Sequence, residues 1–275
     1  MAMAGAAVGA PAALLAEQDA CFNSFCDAVR LIITCKDFNK ASFKTRPLNL
    51  SEAYVLLWHN TGTGGLDGSK SSMHLRTGAF AAVLIDLLVR DKIAIINDTV
   101  HLGCEQHQRL AVKVLDPTPT GTYLDIAGFN HIVAYYKAHP QKNKLLKDWF
   151  EREERECCVS VTLKNLIKRK ILGDVHTGFF GMFHKYPTKD SSFEEVIEAE
   201  MKQVSLKECK PDSFMLSLLT LSRTADMFFS FVDPVLQKHF TKDEYKVAKE
   251  NIKVIVQTQG AVLRSPKLNR KKMKV

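Results

Sequence analysis

The sequence predicts a mainly α-helical fold: a single globular helical domain with small β-hairpins, one of them protruding. Three observations lead there. Apolar positions recur at helical spacing along most of the chain, and the longest such stretch is apolar on nearly every side. The β-type stretches are short and come in pairs. The composition, 46% hydrophobic and 25% charged over 275 residues, suits a chain that buries a full core.

Residues 17–36 carry apolar positions at helical spacing and read as a short helix, followed by a polar linker over 37–47. Ser51 is positioned to cap a helix running from Ala53 to Trp58, and a glycine-rich surface loop follows at 60–65. Residues 71–90 give the strongest helix in the chain, a central one with small residues at Gly78, Ala79, Ala81 and Ala82. Ile93–Ile96 and Val100–Leu102 then read as the arms of a hairpin turning at Asn97-Asp98, with another short strand at 109–115. Helices are predicted over 123–138, over 143–156 with Trp149 and Phe150 as anchors, and over 158–170. A second hairpin has arms near 171–176 and 179–186, turning at Thr177-Gly178 with an apolar tip. Helices at 192–208, capped by Ser192, at 212–231, started by Pro211-Asp212, and at 241–257 complete the set. The domain organisation predicted is a tail and short helix over 1–47, the helical domain over 48–260 and a basic tail over 261–275.

The formal net charge of +8 points to an anionic partner, either nucleic acid or a membrane face. The seven cysteines are odd in number and form no C-x-x-C pair, so small buried thiols in a reducing compartment fit better than disulfides or structural zinc. No apolar stretch approaches the ~20 residues that span a bilayer. The alanine-rich start lacks the basic n-region of a signal peptide, so residues 1–16 read as a flexible tail on a cytosolic protein.

Nothing in the sequence assembles an active site. The glycine-rich loop at 60–65 lacks the lysine of a phosphate-binding loop, and no nucleophile elbow or zinc-protease motif occurs. Cys157 and Cys158 adjoin Glu153, Glu154 and Glu156, neighbours that disfavour a thiolate. His101, Cys104 and His107 fall in a turn region at a spacing unsuited to one metal. The prediction is a non-enzyme with no cofactor and no metal. Two features remain: a basic set, Arg76, Lys164, Lys168, Arg169 and Lys170, and the aromatic hairpin Thr177–Tyr186. Aromatic rings favour the headgroup zone and cations attract anionic lipid, so together they have the composition of a peripheral membrane contact. Packing under the domain or at a dimer contact is the competing reading of the phenylalanines.

From about Leu48 to Val256 the order of pieces resembles the Golgi phosphoprotein 3 family. The resemblance rests on Leu48-Asn49-Leu50-Ser51-Glu52, on Gly78 to Ile93, on Pro119-Thr120-Gly121 before Leu124-Asp125, on Leu163 to Leu172, and on Phe183-His184-Lys185-Tyr186-Pro187. It implies a peripheral adaptor on the cytoplasmic face of the Golgi, also present in the cytosol. Such an adaptor would bind phosphatidylinositol 4-phosphate and act in vesicle trafficking or in retaining Golgi enzymes. Implied partners are that lipid, cytosolic tails of Golgi enzymes and a second copy met through the hairpin, with no nucleic acid. Aligned without gaps, the family's headgroup tryptophan and three arginines fall at Ser71, Phe80, Glu156 and Val159. The expected lipid-binding residues are therefore the neighbouring cations Lys70, Arg76, Lys164, Lys168 and Arg169, with Phe179, Phe180, Met182 and Phe183 as the membrane or self-association hairpin. A scaffold of the same fold that has lost the lipid is the alternative.

Overall fold

In the computed structural model, the central helix α4 (Met73–Val89) is the axis of the molecule, buried along almost its whole length as its uniform apolarity predicts. The structure describes residues 12–67, 72–102, 105–151, 154–177, 183–207, 209–227 and 235–261. Around α4 pack α1 (Ala12–Thr34), α3 (Leu50–Leu57), α7 (Glu154–Lys168) and α9 (Ser213–Asp226). The closest approach is to α3, where a Cβ at Gly78 would stand 2.0 Å from the Tyr54 hydroxyl oxygen. Outside this group lie the short α2 (Ala41–Lys44), α5 (Asn130–Ala138), α6 (Leu146–Phe150), α8 (Ser192–Lys207) and α10 (Lys242–Ala261). The fold is mainly α, as predicted, and its strands form only antiparallel pairs and one three-stranded sheet.

Asp86, in the last turn of α4, joins this helix to α3. The Leu50 N–H donates to Asp86 Oδ1 at 2.9 Å, and the Ser51 N–H and hydroxyl donate to Oδ2 at 3.0 and 2.6 Å. The carboxylate thus satisfies amides that every helix N-terminus leaves open. Because Ser51 is drawn inward, it is not the cap. Asn49 holds that position, and its N–H donates to Glu52 Oε2 at 2.8 Å.

The N-terminal helix is longer than the sequence indicates and belongs to the packed body. Cys21, Phe22, Phe25, Val29 and Ile32 are buried in the common core, and Phe25 meets Phe150 edge-on at 6.4 Å. Alanine obscured its first turns, since an Ala-rich stretch shows no apolar periodicity. The linker also packs: Phe43 lies against Phe214 at 5.7 Å. Of the expected tails, 1–16 and 261–275, residues 12–16 belong to α1 and Ala261 to α10, while 1–11 and 262–275 lie outside the described residues.

Strands β1 (His59–Asn60) and β2 (Gly65–Leu66) close a small ribbon over the glycine-rich loop. The first large hairpin differs from expectation. Strand β3 (Ile93–Leu102) runs straight through Asn97 and Asp98, which pair with Leu110 and Arg109 of β4 (Glu105–Val114). The polar pair looked like a turn, but it marks where the ribbon leaves the core for solvent. Backbone pairing continues past it to Leu102 and Glu105. The short β5 (Lys144–Leu145) adds to β4.

Two predicted helices are also redrawn. The one at 123–138 starts as a wide turn at Asp125–Phe129 before α5. The irregularity sits at Gly128, whose backbone leaves the helical region, and a Cβ there would stand 2.7 Å from the Phe80 ring. The helix predicted over 143–156 is β5 and the five-residue α6, with Trp149 and Phe150 buried as anchors. Near the C-terminus, α9 begins where Pro211-Asp212 was expected to start it, with Asp212 as its cap, accepting from the Met215 N–H at 2.8 Å.

Candidate anionic-surface site

Of the four positions that the resemblance singles out, the two whose side chains are described both lie in the core. Phe80 is fully buried beside Phe150, and Val159 is 1% exposed on the inner face of α7. Ser71 and Lys70 lie outside the described residues, as does the side chain of Glu156.

The remaining expected cations fall into two places. Arg76 is half-buried in the first turn of α4. Lys164 and Lys168 are exposed one turn apart on α7, and Arg169 follows its end. Arg169 is tied to the start of α3: its Nη1 donates to Glu52 Oε1 at 2.6 Å and its Nη2 to the Pro47 carbonyl at 2.7 Å. That level of the core is marked by Asp86, ten residues along α4 from Arg76, a rise of about 15 Å. Arg76 and the α7 cations therefore do not converge on one headgroup.

The α7 cations stand with others at a well-defined corner. Helix α7 ends in a Schellman arrangement, in which the Ile171 N–H donates to Leu166 O at 3.0 Å and the Lys170 N–H to Ile167 O at 2.9 Å. Ile171 and Leu172 then plunge into the core. The αL position of such a motif is normally glycine, yet here it is Lys170, at φ 63°. Immediately beside it, the Lys189 N–H donates to Ile171 O at 2.9 Å, with its own side chain exposed. Lys168, Arg169, Lys170 and Lys189 thus share one end of α7, where the helix dipole also favours cations. Sequence spacing could not bring Lys189 to this group, because it arrives through the hairpin.

That hairpin is β6 (Val175–Thr177) with β7 (Phe183–Lys185). Thr177 pairs with Phe183, so Thr177 is a strand residue and the connection spans 178–182 rather than turning at 177–178. Phe179, Phe180 and Met182 lie outside the described residues, and the side chain of Phe183 does as well. The hairpin root is fixed to the body by the Gly173 N–H, which donates to Pro187 O at 2.7 Å, and by the bridge between Leu172 and Thr188.

Sequence reading passed over a second polar group. His59 places Nδ1 2.8 Å from Glu194 Oε1 and Nε2 2.6 Å from the Tyr186 carbonyl oxygen. His239 places Nδ1 2.6 Å from Glu198 Oε1 and Nε2 3.1 Å from the Leu57 carbonyl oxygen. They border a cavity of about 190 Å³. Both nitrogens of each ring are engaged by protein oxygens, so neither ring offers a lone pair to a substrate. They fasten α8 and the C-terminal segment to α3 and β7.

The profile of the Golgi phosphoprotein 3 (GPP34) family matches residues 50–264, more than three quarters of the chain. The chain belongs to that family. Membership gives it a Golgi-associated adaptor role in general terms, in a family of non-enzymatic adaptors. No individually curated protein matches the chain. The match begins at the first residue of α3, so α1 lies outside the matched span although it shares the core of this Golgi phosphoprotein 3 domain. Among the described residues, no helix is long and apolar enough to cross a membrane.

Proposed function

We propose that this Golgi phosphoprotein 3 family member is a peripheral adaptor that binds phosphatidylinositol 4-phosphate on the cytoplasmic face of the Golgi. There it would act in vesicle trafficking or enzyme retention. The observation that carries the reading is Lys170. Glycine would relax the backbone at this αL position, by about 1 kcal/mol. A lysine placed there adds a cation to Lys168, Arg169 and Lys189 beside a hairpin with an apolar connection. A phosphomonoester needs several cationic donors, since one lysine contributes only about 1 kcal/mol near an anionic surface. Lys164 extends the face along α7, Arg169 stands at its end, and Arg76, with Lys70 before it in the sequence, belongs to a second approach at the other end of α4. Phe179, Phe180, Met182 and Phe183 supply the part that enters the headgroup layer. Cytosolic tails of Golgi enzymes would be carried on the remaining surface.

The test is vesicle co-sedimentation across a salt series. Lys168→Glu with Lys170→Glu should abolish binding to phosphatidylinositol 4-phosphate vesicles and flatten the salt dependence, with Arg76→Ala weaker in effect. Unchanged binding in the charge-reversed variant would refute the assignment to this corner.

One observation favours the other reading, a scaffold without lipid that self-associates through the hairpin. The family's headgroup positions have become Phe80 and Val159, both core residues. Sedimentation velocity on the wild type and on Phe179→Ser with Phe180→Ser separates the two. A dimer lost in the variant, with no vesicle binding by the wild type, would establish the scaffold.

A further inference from the structure

The stem of the hairpin brings together three side chains that the adaptor reading does not use. In an antiparallel pair, directly opposed residues share a face, and so do residues two apart on one strand. His176 is paired with His184, and Asp174 stands two residues before His176. All three are exposed on that face. His184 Nδ1 lies 3.2 Å from Asp174 Oδ1, and His176 Nε2 lies 3.8 Å from Asp174 Oδ2. The two imidazole centroids are 4.2 Å apart at 57°. One ligand atom from each residue lies within 4.8 Å of both others.

We propose that this face of the hairpin stem binds a divalent transition-metal cation, with zinc the best match to the donors. Two imidazole nitrogens and one carboxylate oxygen form a borderline set suited to zinc, cobalt, nickel or copper, whereas calcium and magnesium require oxygen ligands. Bonds of about 2.0–2.2 Å in a tetrahedral zinc site put the donors roughly 3.3–3.5 Å apart. The 3.2 Å separation is to Asp174 Oδ1 and the 3.8 Å separation to Oδ2, so each imidazole has a carboxylate oxygen near that spacing, and one atom from each of the three residues falls within 4.8 Å of the others. The widest, no more than 4.8 Å, closes by rotation of exposed side chains. Three protein ligands leave a fourth position for water or an incoming group.

The consequence is mechanical. Strands of three residues make a marginal hairpin on their own. A cation held by Asp174 and His176 on one arm and His184 on the other fixes the register of the two arms. It thereby stiffens the support of the connection that carries Phe179, Phe180 and Met182. Asp174 is well placed as the anchor, because Gly173 before it is bonded to Pro187 and Leu172 is buried. His59 and His239, the other close histidine–carboxylate groups, have both ring nitrogens engaged and take no part. The proposal does not depend on lipid binding.

The experiment uses the full chain, stripped with a chelator and titrated with zinc chloride by calorimetry and with cobalt(II) by visible absorption. One equivalent should bind, with cobalt d–d bands and none of the intense near-ultraviolet charge transfer that thiolate ligands give. Asp174→Asn, His176→Ala and His184→Ala should each weaken binding by at least about tenfold. Their metal-free circular dichroism and Tm should equal those of the wild type, because all three side chains are exposed. Saturating zinc should raise the wild-type Tm and leave that of His176→Ala unmoved. Absence of a stoichiometric equivalent in the wild type would overturn the site, and so would an equivalent retained at full affinity by His176→Ala with His184→Ala.

Discussion

At the scale of single residues, Asp86 is the most demanding side chain in the molecule. It is 4% exposed in a helix buried along almost its whole length, where an ionised carboxylate is expensive unless its oxygens are satisfied. Burial pushes its carboxyl up to about 6, against the opposing donors of Ser51 and Leu50. Replacing it with alanine leaves the start of α3 without acceptors in a dry core, and we predict a loss of about 3 kcal/mol, read by urea unfolding. Gly78→Ala forces the Cβ into Tyr54, a side chain with no room to yield, and should cost about 2 kcal/mol in the same assay. Asp226 gives a pH signature. It accepts from the Val235 and Leu236 N–H groups at 2.7 and 3.3 Å, and burial raises its carboxyl to about 7. A carboxyl raised in the folded state contributes stability that is complete below its unfolded value, about pH 4, and is lost as pH rises through the folded one. Asp226→Asn stays neutral throughout. Its Tm relative to the wild type should therefore climb between about pH 4 and about pH 7, and a flat difference would contradict the buried carboxyl.

At the scale of elements, the end of α7 sets stability against function. Lys170→Gly should stabilise the protein by up to about 1 kcal/mol by relieving the αL lysine, and should weaken attachment to anionic vesicles at the same time. A variant that gains stability and keeps full binding would remove Lys170 from the site. Arg169 behaves in the opposite way. It is a third exposed but partners the fully buried Glu52, so Arg169→Ala should cost about 2 kcal/mol, with Asn165 and the Asn49 N–H left to hold the carboxylate. Elements were legible where one local signal controlled them. The unbroken apolar run fixed α4, and Asp212 after Pro211 marked the start of α9. They were misread where tertiary contact decided. Asn97-Asp98 carries turn chemistry but lies on a ribbon paired by its backbone, and Gly128 sits in a helical pattern yet serves the close approach of Phe80. The basic corner was half legible. Lys164, Lys168 and Arg169 appear together in sequence, whereas Lys189 comes to them only through the hairpin, and the pairing of Arg169 with Glu52 spans 117 residues.

At the scale of the whole molecule, the arrangement separates rigidity from contact. Helices α1, α3, α7 and α9 clasp α4 into a core that contains Phe80 and Val159. The cations then gather at the far end of α7, beside a hairpin rooted in that core. The family was legible from the order of its pieces, and the profile match over residues 50–264 agrees with it. The grouping of Lys189 with the cations of α7 was not, because it depends on which end of a helix meets which loop. The central claim is that this corner recognises a phosphoinositide and does more than attract charge. The most direct measurement is flotation of the purified full chain with vesicles containing phosphatidylinositol 4-phosphate, beside vesicles matched in charge with phosphatidylserine, at physiological salt. The account predicts recruitment to the phosphoinositide well above the phosphatidylserine control. Equal recruitment to both, or none to either, would contradict it.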